Sequence, residues 1–292
     1  MTSHSIVKDT LAVLVLYNRR LDETETFQSL ASWPDKSRER FDLLIYDNSP
    51  SPMLTEGAEL SGFRIHYVHD KENPGVSKAY NIGARLGRQL GKTWLLLLDQ
   101  DTTFPDDALI AYQRAIHEHP EAVLFAPILK ASGKIYSPCR YYLKRGFHPR
   151  RVRPGRHTIR HWSVLNSGMC ISLPVFEQIG GFDERVGLDF ADHEFINRFR
   201  RFFDSFVVVD TVCAHGFYDV EQVSVEGSLR RFALFCEGAH ASMREPADRI
   251  LLPIQAALRA VKLSIRFRTG RFLKTFFSVF VPSKSTTHEP PL

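Results

Sequence analysis

Trp94-Leu95-Leu96-Leu97-Leu98-Asp99-Gln100-Asp101-Thr102 is the stretch that decides the fold of this chain. Four consecutive leucines are too few for a membrane span. Bounded by Gly91 and by polar residues, they predict a strand that is covered on both faces. Such a strand lies in a parallel sheet with helices on either side. Because ligands bind at the carboxyl ends of these strands, we expect Asp99 and Asp101 to project into a binding crevice.

The two acids at the end of this strand are the first candidate functional residues. Asp99 and Asp101 are one residue apart, so in an extended chain both side chains point to the same face. Two carboxylates placed this way can bind one divalent cation, and a diphosphate can share that cation. Residues 103–107 also resemble the start of a helix, with a proline and acids in the first turn. A metal-binding pair and a simple strand-to-helix connection are both compatible with this stretch alone.

The composition is that of an ordinary globular protein. The chain has 292 residues, of which 43% are apolar and 24% charged, enough for one large α/β domain with an appendage. Its four cysteines form no CxxC pair, which favours reduced thiols and argues against structural zinc. The sequence shows no secretory signal pattern and no apolar run approaching about 18 residues. We therefore expect a cytoplasmic protein without a spanning helix.

The net charge of +5 is unevenly distributed. Residues 122–176 contain ten basic residues and no acid, and residues 250–288 contain seven basic residues and no acid. Anionic partners are expected at these two places. Residues 140–160 mix arginine and lysine with aromatic side chains, a composition that could also bind nucleic acid, but no Gly-aromatic RNA motif accompanies it. We expect no nucleic-acid partner, and an acceptor-binding loop or a solvated charged loop both remain compatible with this segment.

The first hundred residues alternate between apolar runs and helical patterns. Strands are predicted at residues 11–17, 41–46, 65–68 and 94–98. One intervening helix is expected from residue 22 to about residue 32, where Pro34 ends it, and another from an N-cap at Ser77 to about residue 90. This order predicts a mostly parallel twisted sheet flanked by helices. Three of the four strands end in Asp or Asn residues.

The polar residues after these strands resemble the successive nucleotide-sugar motifs of family 2 inverting glycosyltransferases with the GT-A fold. The motifs are Tyr17-Asn18-Arg19, Asp47-Asn48-Ser49, Asn73-Pro74-Gly75 through Asn81, and Asp99-Gln100-Asp101. Four motifs in this order are far more specific than one. The sequence around Asp99 is most similar to that of bacterial rhamnosyltransferase-like members. A sugar nucleotidyltransferase is the nearest competing α/β enzyme, but it would need a Gly-rich phosphate loop after the first strand.

The resemblance implies a fold, an activity and partners. The fold is an α/β, Rossmann-like GT-A sheet, mostly parallel and flanked by helices. The activity is transfer of a sugar, such as rhamnose or another hexose, from a UDP- or dTDP-linked donor. The acceptor is a hydroxyl of a lipid-linked or polysaccharide chain in bacterial surface-glycan synthesis. The implied cofactor is Mn²⁺ or Mg²⁺.

The resemblance also assigns roles in donor binding. Asp47 is expected to accept hydrogen bonds from the nucleobase or ribose, and Tyr17 to stack on the base. Lys78 is expected near the diphosphate. The other donor-binding residues implied are Asn18, Arg19, Asn48, Asn73, Asn81, Asp99, Gln100 and Asp101. Asn48, Ser49 and Asn81 are equally compatible with a role as turn residues.

Three residues are expected to bind the metal. In the family the second acid of the Asp-x-Asp motif is the main ligand, which corresponds to Asp101 here. Asp99 would then lie nearer the ribose or a metal-bound water. Residues 206–212 predict a strand, and His215 follows it where many members carry a metal-binding histidine. An ordinary loop histidine is the alternative for His215.

The second half of the chain is expected to hold the sugar, the acceptor and the general base. Residues 162–172 predict a strand interrupted at Ser167-Gly168. By resemblance, Asn166, Ser167 and Gly168 would form a wall beside the donor sugar, although a lone strand glycine is also typical of a bulge. Asp189 is assigned to the same acceptor and sugar site.

An inverting transfer needs one general base to deprotonate the acceptor hydroxyl. The family's catalytic acids correspond best to Asp192, with Glu194 as the alternative. His193 between them and Phe195 after them depart from the family pattern, so the choice between the two acids stays open. Helix-capping acids are the structural alternative.

The C-terminal segment predicts basic amphipathic helices. Leu251, Ile254, Leu258, Val261 and Ile265 recur at helical spacing, and a stripe of phenylalanines follows between residues 272 and 280. With basic residues alone on the polar side, these helices are typical of peripheral binding to the inner face of an anionic membrane. A helical cap on the sheet, or an interface in a homo-oligomer, is the alternative.

The predicted organisation is therefore a glycosyltransferase domain over residues 1–225, with a nucleotide-sugar half at 1–120 and an acceptor half at 121–225. A helical extension follows at 226–282 and a flexible tail at 283–292. The competing functional class is a noncatalytic nucleotide- or glycan-binding module with the same fold.

Overall fold

The structure is a computed structural model and describes residues 6–33, 41–54, 62–216 and 224–281. The chain divides into two compact units. The first comprises residues 1–187 and 191–217, and the second comprises residues 188–190 and 218–292. Pro34 and the predicted tail at 283–292 lie outside the described residues.

The strands of the first unit form one large sheet and one small sheet. The strands are β1 (Thr10–Leu16), β2 (Phe41–Asp47), β3 (Phe63–His69), β4 (Trp94–Asp99), β5 (Thr102–Thr103), β6 (Leu124–Ala131), β7 (Lys134–Ser137), β8 (Cys139–Tyr142), β9 (Arg145–Phe147), β10 (Gly155–Thr158), β11 (Trp162–Ser163), β12 (Cys170–Ser172) and β13 (Ser205–His215). The large sheet has the order β10-β13-β6-β12-β4-β1-β2-β3, with β5 paired to β13 and β7 to β6. The small sheet has the order β11-β8-β9.

The centre of the large sheet is parallel, as the alternation of apolar runs and helices predicts. β1 pairs in parallel with β2 and with β4, and β2 pairs in parallel with β3. β12 enters antiparallel between β4 and β6. Every residue of β1 and β2 is buried, because helices cover both faces of such a sheet. The predicted fold class is confirmed.

The helices include those predicted at residues 22–32 and 77–90 and in the C-terminal extension, together with others. They are α1 (Ile6–Asp9), a 3₁₀ turn (Leu21–Glu23), α2 (Glu25–Ala31), α3 (Val76–Gln89), α4 (Ala108–Glu118), α5 (Leu173–Ile179), α6 (Ala191–Phe199), α7 (Val225–Ala241), α8 (Asp248–Phe267) and α9 (Arg271–Phe280). The predicted cap of α3 is wrong: the N-cap is Gly75, and the Ser77 hydroxyl donates to the Val186 carbonyl at 2.5 Å. The glycine is required there because the chain passes against Gly187 at this point.

The segment predicted as one interrupted strand, residues 162–172, divides between the two sheets. Its first part, β11, pairs with β8 in the small sheet, whereas β12 pairs with β4 and β6 in the large one. Gly168 lies between them with φ +80°, and its N–H donates to the Leu97 carbonyl at 2.8 Å. The interruption is therefore a change of sheet, not a bulge within one strand.

The second unit has its own small core. Buried Phe232 and Cys236 of α7, Ala256 and Ala260 of α8, and Phe272 of α9 pack together. The partly buried side chains around them include Phe276 and Phe280. The expectation that the phenylalanine stripe faces a membrane is wrong for Phe272, because α7 and α8 offer it an apolar surface. Within the described residues, no helix is both long enough and apolar enough to cross a bilayer.

Candidate active site

The candidate site forms where β4 ends and the chain turns towards β5. β5 pairs antiparallel with the end of β13, so Thr102 lies opposite His215. The N–H of Gly216 donates to the Asp101 carbonyl at 2.8 Å. This short pairing joins two segments that are more than a hundred residues apart in the chain, and it brings His215 to the Asp-x-Asp motif.

Asp99, Asp101 and His215 form one cluster. One ligand atom from each of the three side chains lies within 4.8 Å of the others. Nδ1 of His215 is 3.6 Å from Oδ1 of Asp101, and their side chains are 7% and 20% exposed. This is the single group of three or more potential metal ligands that the described part of the chain contains.

Neighbouring hydroxyl groups hold the cluster in place. The Tyr80 hydroxyl donates to Oδ1 of Asp99 at 2.9 Å. Oγ1 of Thr102 is 2.7 Å from Nδ1 of His215 and 2.6 Å from Oγ of Ser167. Tyr80 and Thr102 are not among the predicted site residues. Their roles depend on partners from distant segments, so their positions in the sequence carry little signal.

The electrostatics of the cluster fit a divalent cation. Burial raises the pKa of Asp101 to about 7, and the negative charge of Asp99 adds to the rise. Burial also raises the pKa of Asp99 and lowers the pKa of His215. A neutral imidazole retains a lone pair for a metal. Two buried carboxylates and such an imidazole form a donor set that Mn²⁺ or Mg²⁺ accepts, because the cation offsets the repulsion between the acids.

Asp192 and Glu194 lie in the first turn of α6 but have different surroundings. Glu194 is buried, and Arg198 donates to both of its carboxylate oxygens at 2.8 Å. The charge of Asp192 is among the causes that raise the pKa of Asp99 and Tyr80, after burial as the first cause. Asp192 is therefore the acid that lies close to the cluster.

The residue that departs from the family pattern, His193, lies between the base candidate and the small sheet. Its Nδ1 is 2.8 Å from Oγ of Ser163 and 3.9 Å from Oδ1 of Asp192. Its backbone N–H donates to the same Asp192 oxygen at 2.7 Å. Its ring packs on Tyr141, with 4.8 Å between the centroids. Asp192 thus has a defined orientation, set partly by the residue that follows it.

The motif after β1 is linked to the Asp-x-Asp turn by a side-chain amide. Gln100 accepts from the Tyr17 N–H at 2.8 Å and donates to the Tyr17 carbonyl at 3.2 Å. Tyr17 is 46% exposed, and its stacking on a base stays a prediction. Arg19 pairs with Glu25 at 2.6 Å, and its charge is among those that act on the pKa of Asp101, where burial is the largest cause.

Asp47 organises the loop after β2. It is fully buried and accepts hydrogen bonds from the backbone of Ser49 and Met53 and from the Tyr67 hydroxyl, at 2.9, 2.7 and 2.7 Å. Burial acts to raise the pKa of Asp47, but these hydrogen bonds outweigh it and the pKa is lowered. Contact between Asp47 and a nucleotide stays a prediction.

Two asparagines in the candidate donor site each have an unsatisfied oxygen. Oδ1 of Asn48 and Oδ1 of Asn166 are buried and have no hydrogen-bond partner within the described part of the chain. Asn18, before them in the chain, adopts φ +52° and donates its N–H to the Ser49 hydroxyl at 2.8 Å. Unsatisfied buried oxygens are uncommon in folded proteins, so Asn48 and Asn166 are the predicted residues with spare acceptor capacity.

The side chains of Lys78 and Asn81, in the motif from residue 73 to 81, hydrogen-bond to other groups of the protein. Lys78 donates to Asp70 at 2.9 Å, and Asp70 also accepts from the Tyr46 hydroxyl at 2.7 Å. Asn81 accepts from the N–H of Phe182 and donates to its carbonyl, at 2.8 and 2.9 Å. Because Asn81 lies inside α3, the turn-residue alternative is wrong for it. Its contact with a nucleotide stays a prediction. Asn73 has φ +46°. Asp70, which balances the charge of Lys78, is not among the predicted residues.

The remaining sugar and acceptor candidates are divided between the two units. Ser167 and Gly168 belong to the first unit, and the Gly168 carbonyl accepts from the Tyr112 hydroxyl. Asp189 belongs to the second unit, where Arg231 donates to both of its oxygens at 2.5 and 2.8 Å. The assignment of Asp189 to the sugar site stays a prediction.

Solved structures share the fold. The chain matches Staphylococcus aureus TarS, residues 1–349, with a TM-score of 0.50 and 13% identity over 93% of this chain and 90% of that one. It matches GalNAc-T7, crystallised with UDP, GalNAc and Mn²⁺, with a TM-score of 0.61 and 12% identity over 93% and 56%. These likenesses show the fold, which is of the GT-A type.

A curated relative is similar in sequence. The chain is 25% identical over 190 residues to a dTDP-rhamnosyl transferase, RfbF, of Shigella flexneri. The match covers 64% of this chain and 62% of that protein, so it spans less than two thirds of the relative's length. The profile described as Glycosyl transferase family 2 matches residues 12–171, more than half of the chain. The chain belongs to Glycosyl transferase family 2.

Proposed function

We propose that the protein is a metal-dependent inverting glycosyltransferase. It would transfer a hexosyl group from a nucleoside-diphosphate sugar to a hydroxyl of a lipid-linked or polysaccharide acceptor of bacterial surface glycans. The observation that carries the proposal is the convergence of Asp99, Asp101 and His215, with the charge of Asp192 close enough to act on Asp99.

Asp192 is the proposed general base. Its carboxylate would accept the proton of the acceptor hydroxyl as that oxygen attacks the anomeric carbon of the donor sugar. It lies in the first turn of α6, at the positive end of the helix dipole. Glu194 is a poor candidate because Arg198 occupies both of its oxygens.

Asp99, Asp101 and His215 would hold the divalent cation, Mn²⁺ or Mg²⁺, whose charge would stabilise the departing diphosphate. The Tyr80 hydroxyl orients Asp99, and Thr102 orients His215. Supporting hydrogen bonds of this kind set the direction of the ligand atoms.

The donor would bind at the carboxyl ends of β1, β2 and β4. The exposed ring of Tyr17 can stack on a base, and Asn48 and Asn166 offer unsatisfied acceptor atoms within the described residues. The sequence relative is described as a dTDP-rhamnosyl transferase, so dTDP-rhamnose is the first donor to test, with UDP-linked sugars next.

Calorimetric titration with dTDP, UDP and their sugar conjugates, with and without Mn²⁺ or Mg²⁺, tests the proposal. We expect one nucleotide to bind in a metal-dependent manner. Asp101→Asn should weaken that binding by more than about tenfold, because it removes a ligand of the cation. Release of the nucleoside diphosphate in the presence of a lipid-linked acceptor measures transfer.

Asp107→Asn is the matched control, because Asp107 is exposed, lies six residues away and makes no side-chain capping bond. It should bind nucleotide like the wild type. Absence of nucleotide binding with every cation, or equal binding by Asp101→Asn and wild type, would reject the proposal. Metal-dependent binding without any transfer would favour the noncatalytic module.

A further inference from the structure

The helix α8 has apolar residues on two opposite faces. Its inner face packs in the core of the second unit through residues that include Ala256, Ala260 and Leu263. The opposite face, which we call the outer face, consists of Ile250, Ile254, Leu258, Val261 and Ile265. These five side chains are 64%, 51%, 66%, 46% and 73% exposed. At 3.6 residues per turn they fall within an arc of about 80°.

An exposed stripe of five large aliphatic residues is unusual for a protein surface. Apolar residues scattered singly over a surface need no explanation, but a continuous apolar patch marks an interaction site. The neighbouring helix contributes the half-exposed Phe277, which is 54% exposed. The second unit therefore exposes large apolar side chains on α9 as well as on α8.

The charges beside the outer face are all of one sign. Lys262 and Arg266 are exposed and follow the stripe along α8, and Arg268 and Lys274 continue the series. From Ile250 to the end of α9 the sequence contains no acid. The surface that complements this helix must therefore be apolar in the middle and anionic at its edge.

A second copy of the chain does not meet this requirement. A two-fold interface would bring the same patch of both copies together. Lys262 and Arg266 of both copies would then lie close to each other, and the sequence offers no acid between residues 250 and 280 to balance them. An anionic bilayer surface has both properties, since aliphatic side chains enter the acyl boundary and phosphate groups attract the basic ones.

We propose that the outer face of α8 binds an anionic lipid bilayer, with the helix lying in the plane of the interface. The proposal goes beyond the transferase function and does not depend on it, because lipid binding requires neither donor nor metal. It assigns the membrane contact to α8 and leaves the phenylalanines of α9 mainly to the core.

Co-sedimentation of the full chain with phosphatidylglycerol–phosphatidylcholine vesicles, and with phosphatidylcholine vesicles, tests this proposal. We expect wild type to bind the anionic vesicles more tightly and to lose binding as salt is raised. Leu258→Gln with Ile265→Gln should lower the vesicle partition coefficient by about tenfold or more, since two large apolar side chains no longer enter the interface.

The matched control is Ile110→Gln with Phe202→Gln, which removes two side chains of similar exposure, 51% and 56%, from the first unit. This control should bind vesicles like the wild type. Circular dichroism and the urea transition of each variant show that the fold is intact, and nucleotide titration separates a failure of this proposal from a failure of the transferase assignment.

The basic residues are tested separately. Lys262→Gln with Arg266→Gln should lower binding to anionic vesicles by about tenfold while binding to neutral vesicles changes little. Arg150→Gln with Arg151→Gln makes the same charge change in the exposed basic loop and should have no effect. A larger loss with the loop variant would place the membrane contact in the loop and overturn the proposal.

The last measurement is the oligomeric state of the protein in solution. Light scattering after size exclusion, without lipid, should give the same mass for wild type and for Leu258→Gln with Ile265→Gln. A wild-type dimer that this variant converts to a monomer would show that the outer face is a protein interface, and would overturn the proposal. Equal vesicle binding by wild type and this variant would overturn it too.

Discussion

Asp192 and Glu194 show how two acids one residue apart acquire different roles. The Glu194 side chain is 2% exposed and is held by Arg198, which is 13% exposed. Oδ1 of Asp192 lies 3.9 Å from Nδ1 of His193, a longer contact than the Glu194 pair, and the Asp192 charge acts on Asp99. A buried acid in a bidentate pair contributes to folding, whereas the partly exposed acid beside the cluster can accept a proton.

We predict that Asp192→Asn and Glu194→Gln affect different properties of the protein. Asp192→Asn should lower turnover by about 10³-fold, the contribution of a general base, and leave the nucleotide dissociation constant unchanged. Glu194→Gln should lower the free energy of unfolding by about 3 kcal/mol, because it leaves the Arg198 charge buried without its partner. Steady-state transfer, calorimetric titration and urea denaturation measure the three quantities.

The opposite pattern, with turnover retained in Asp192→Asn and lost in a stable Glu194→Gln, would identify Glu194 as the base. Arg198→Ala serves as a control for the structural part of the argument. It should destabilise the protein like Glu194→Gln, since it breaks the same ion pair from the other side.

At the scale of secondary-structure elements, the start of α3 depends on one residue. Gly75 has φ +89°, and a Cβ there would lie 2.1 Å from the Gly187 carbonyl oxygen. The same oxygen accepts from the N–H of Val76 at 2.7 Å. The helix start and the chain before α6 are therefore in direct backbone contact, and this contact leaves no room for a side chain.

Gly75→Ala should be much more destabilising than Gly91→Ala. Gly91 also has positive φ, +66°, but among the described residues nothing lies within 4 Å of the position that a Cβ would occupy there. Gly91→Ala should cost about 1 to 2 kcal/mol from the left-handed backbone alone. Gly75→Ala should cost at least about 2 kcal/mol more, because the backbone must move apart. Chemical denaturation of the two variants gives the difference, and equal costs would show that the contact with Gly187 yields easily.

At the scale of the whole molecule, the two units have cores of different size. The core of the first unit includes more than twenty buried apolar residues around the large sheet, and the core of the second is a small cluster on three helices. Each unit contains buried free cysteines: Cys139, Cys170 and Cys213 in the first, and Cys236 in the second. These thiols can report on the opening of each core.

We predict that the four thiols are unreactive in the native protein. Burial raises the pKa of Cys139, Cys213 and Cys236 to about 12 and also raises the pKa of Cys170, so few thiolates are present at neutral pH. In a urea series, Cys236 should be labelled at lower urea than the others, because the smaller core buries less apolar surface. Mass spectrometry after alkylation identifies each site. Simultaneous labelling of all four would show that the units unfold as one.

Local patterns in the sequence predicted most of the fold. The apolar runs predicted strands β1 to β4, the order of strands and helices predicted a mostly parallel sheet, and helical spacing predicted α8. These predictions succeed because burial and backbone preference depend on the type and spacing of residues within a few helical turns or one strand. The same patterns indicated Asp99 and Asp101 as ligands at the end of β4.

The tertiary structure decided what each of these side chains contacts. It brought His215 to Asp101 through the pairing of β5 with β13, gave Asp99 its Tyr80 partner, and separated Asp192 from the Arg198-bound Glu194. It also placed Phe272 of α9 in a core, with Phe276 and Phe280 partly buried around it, and left the outer face of α8 exposed. The sequence by itself determined the central strands β1 to β4, the helices around them and the apolar faces of the C-terminal helices. Only the packing of distant elements decided which apolar faces are covered and which polar groups meet, because these depend on contacts between residues far apart in the chain.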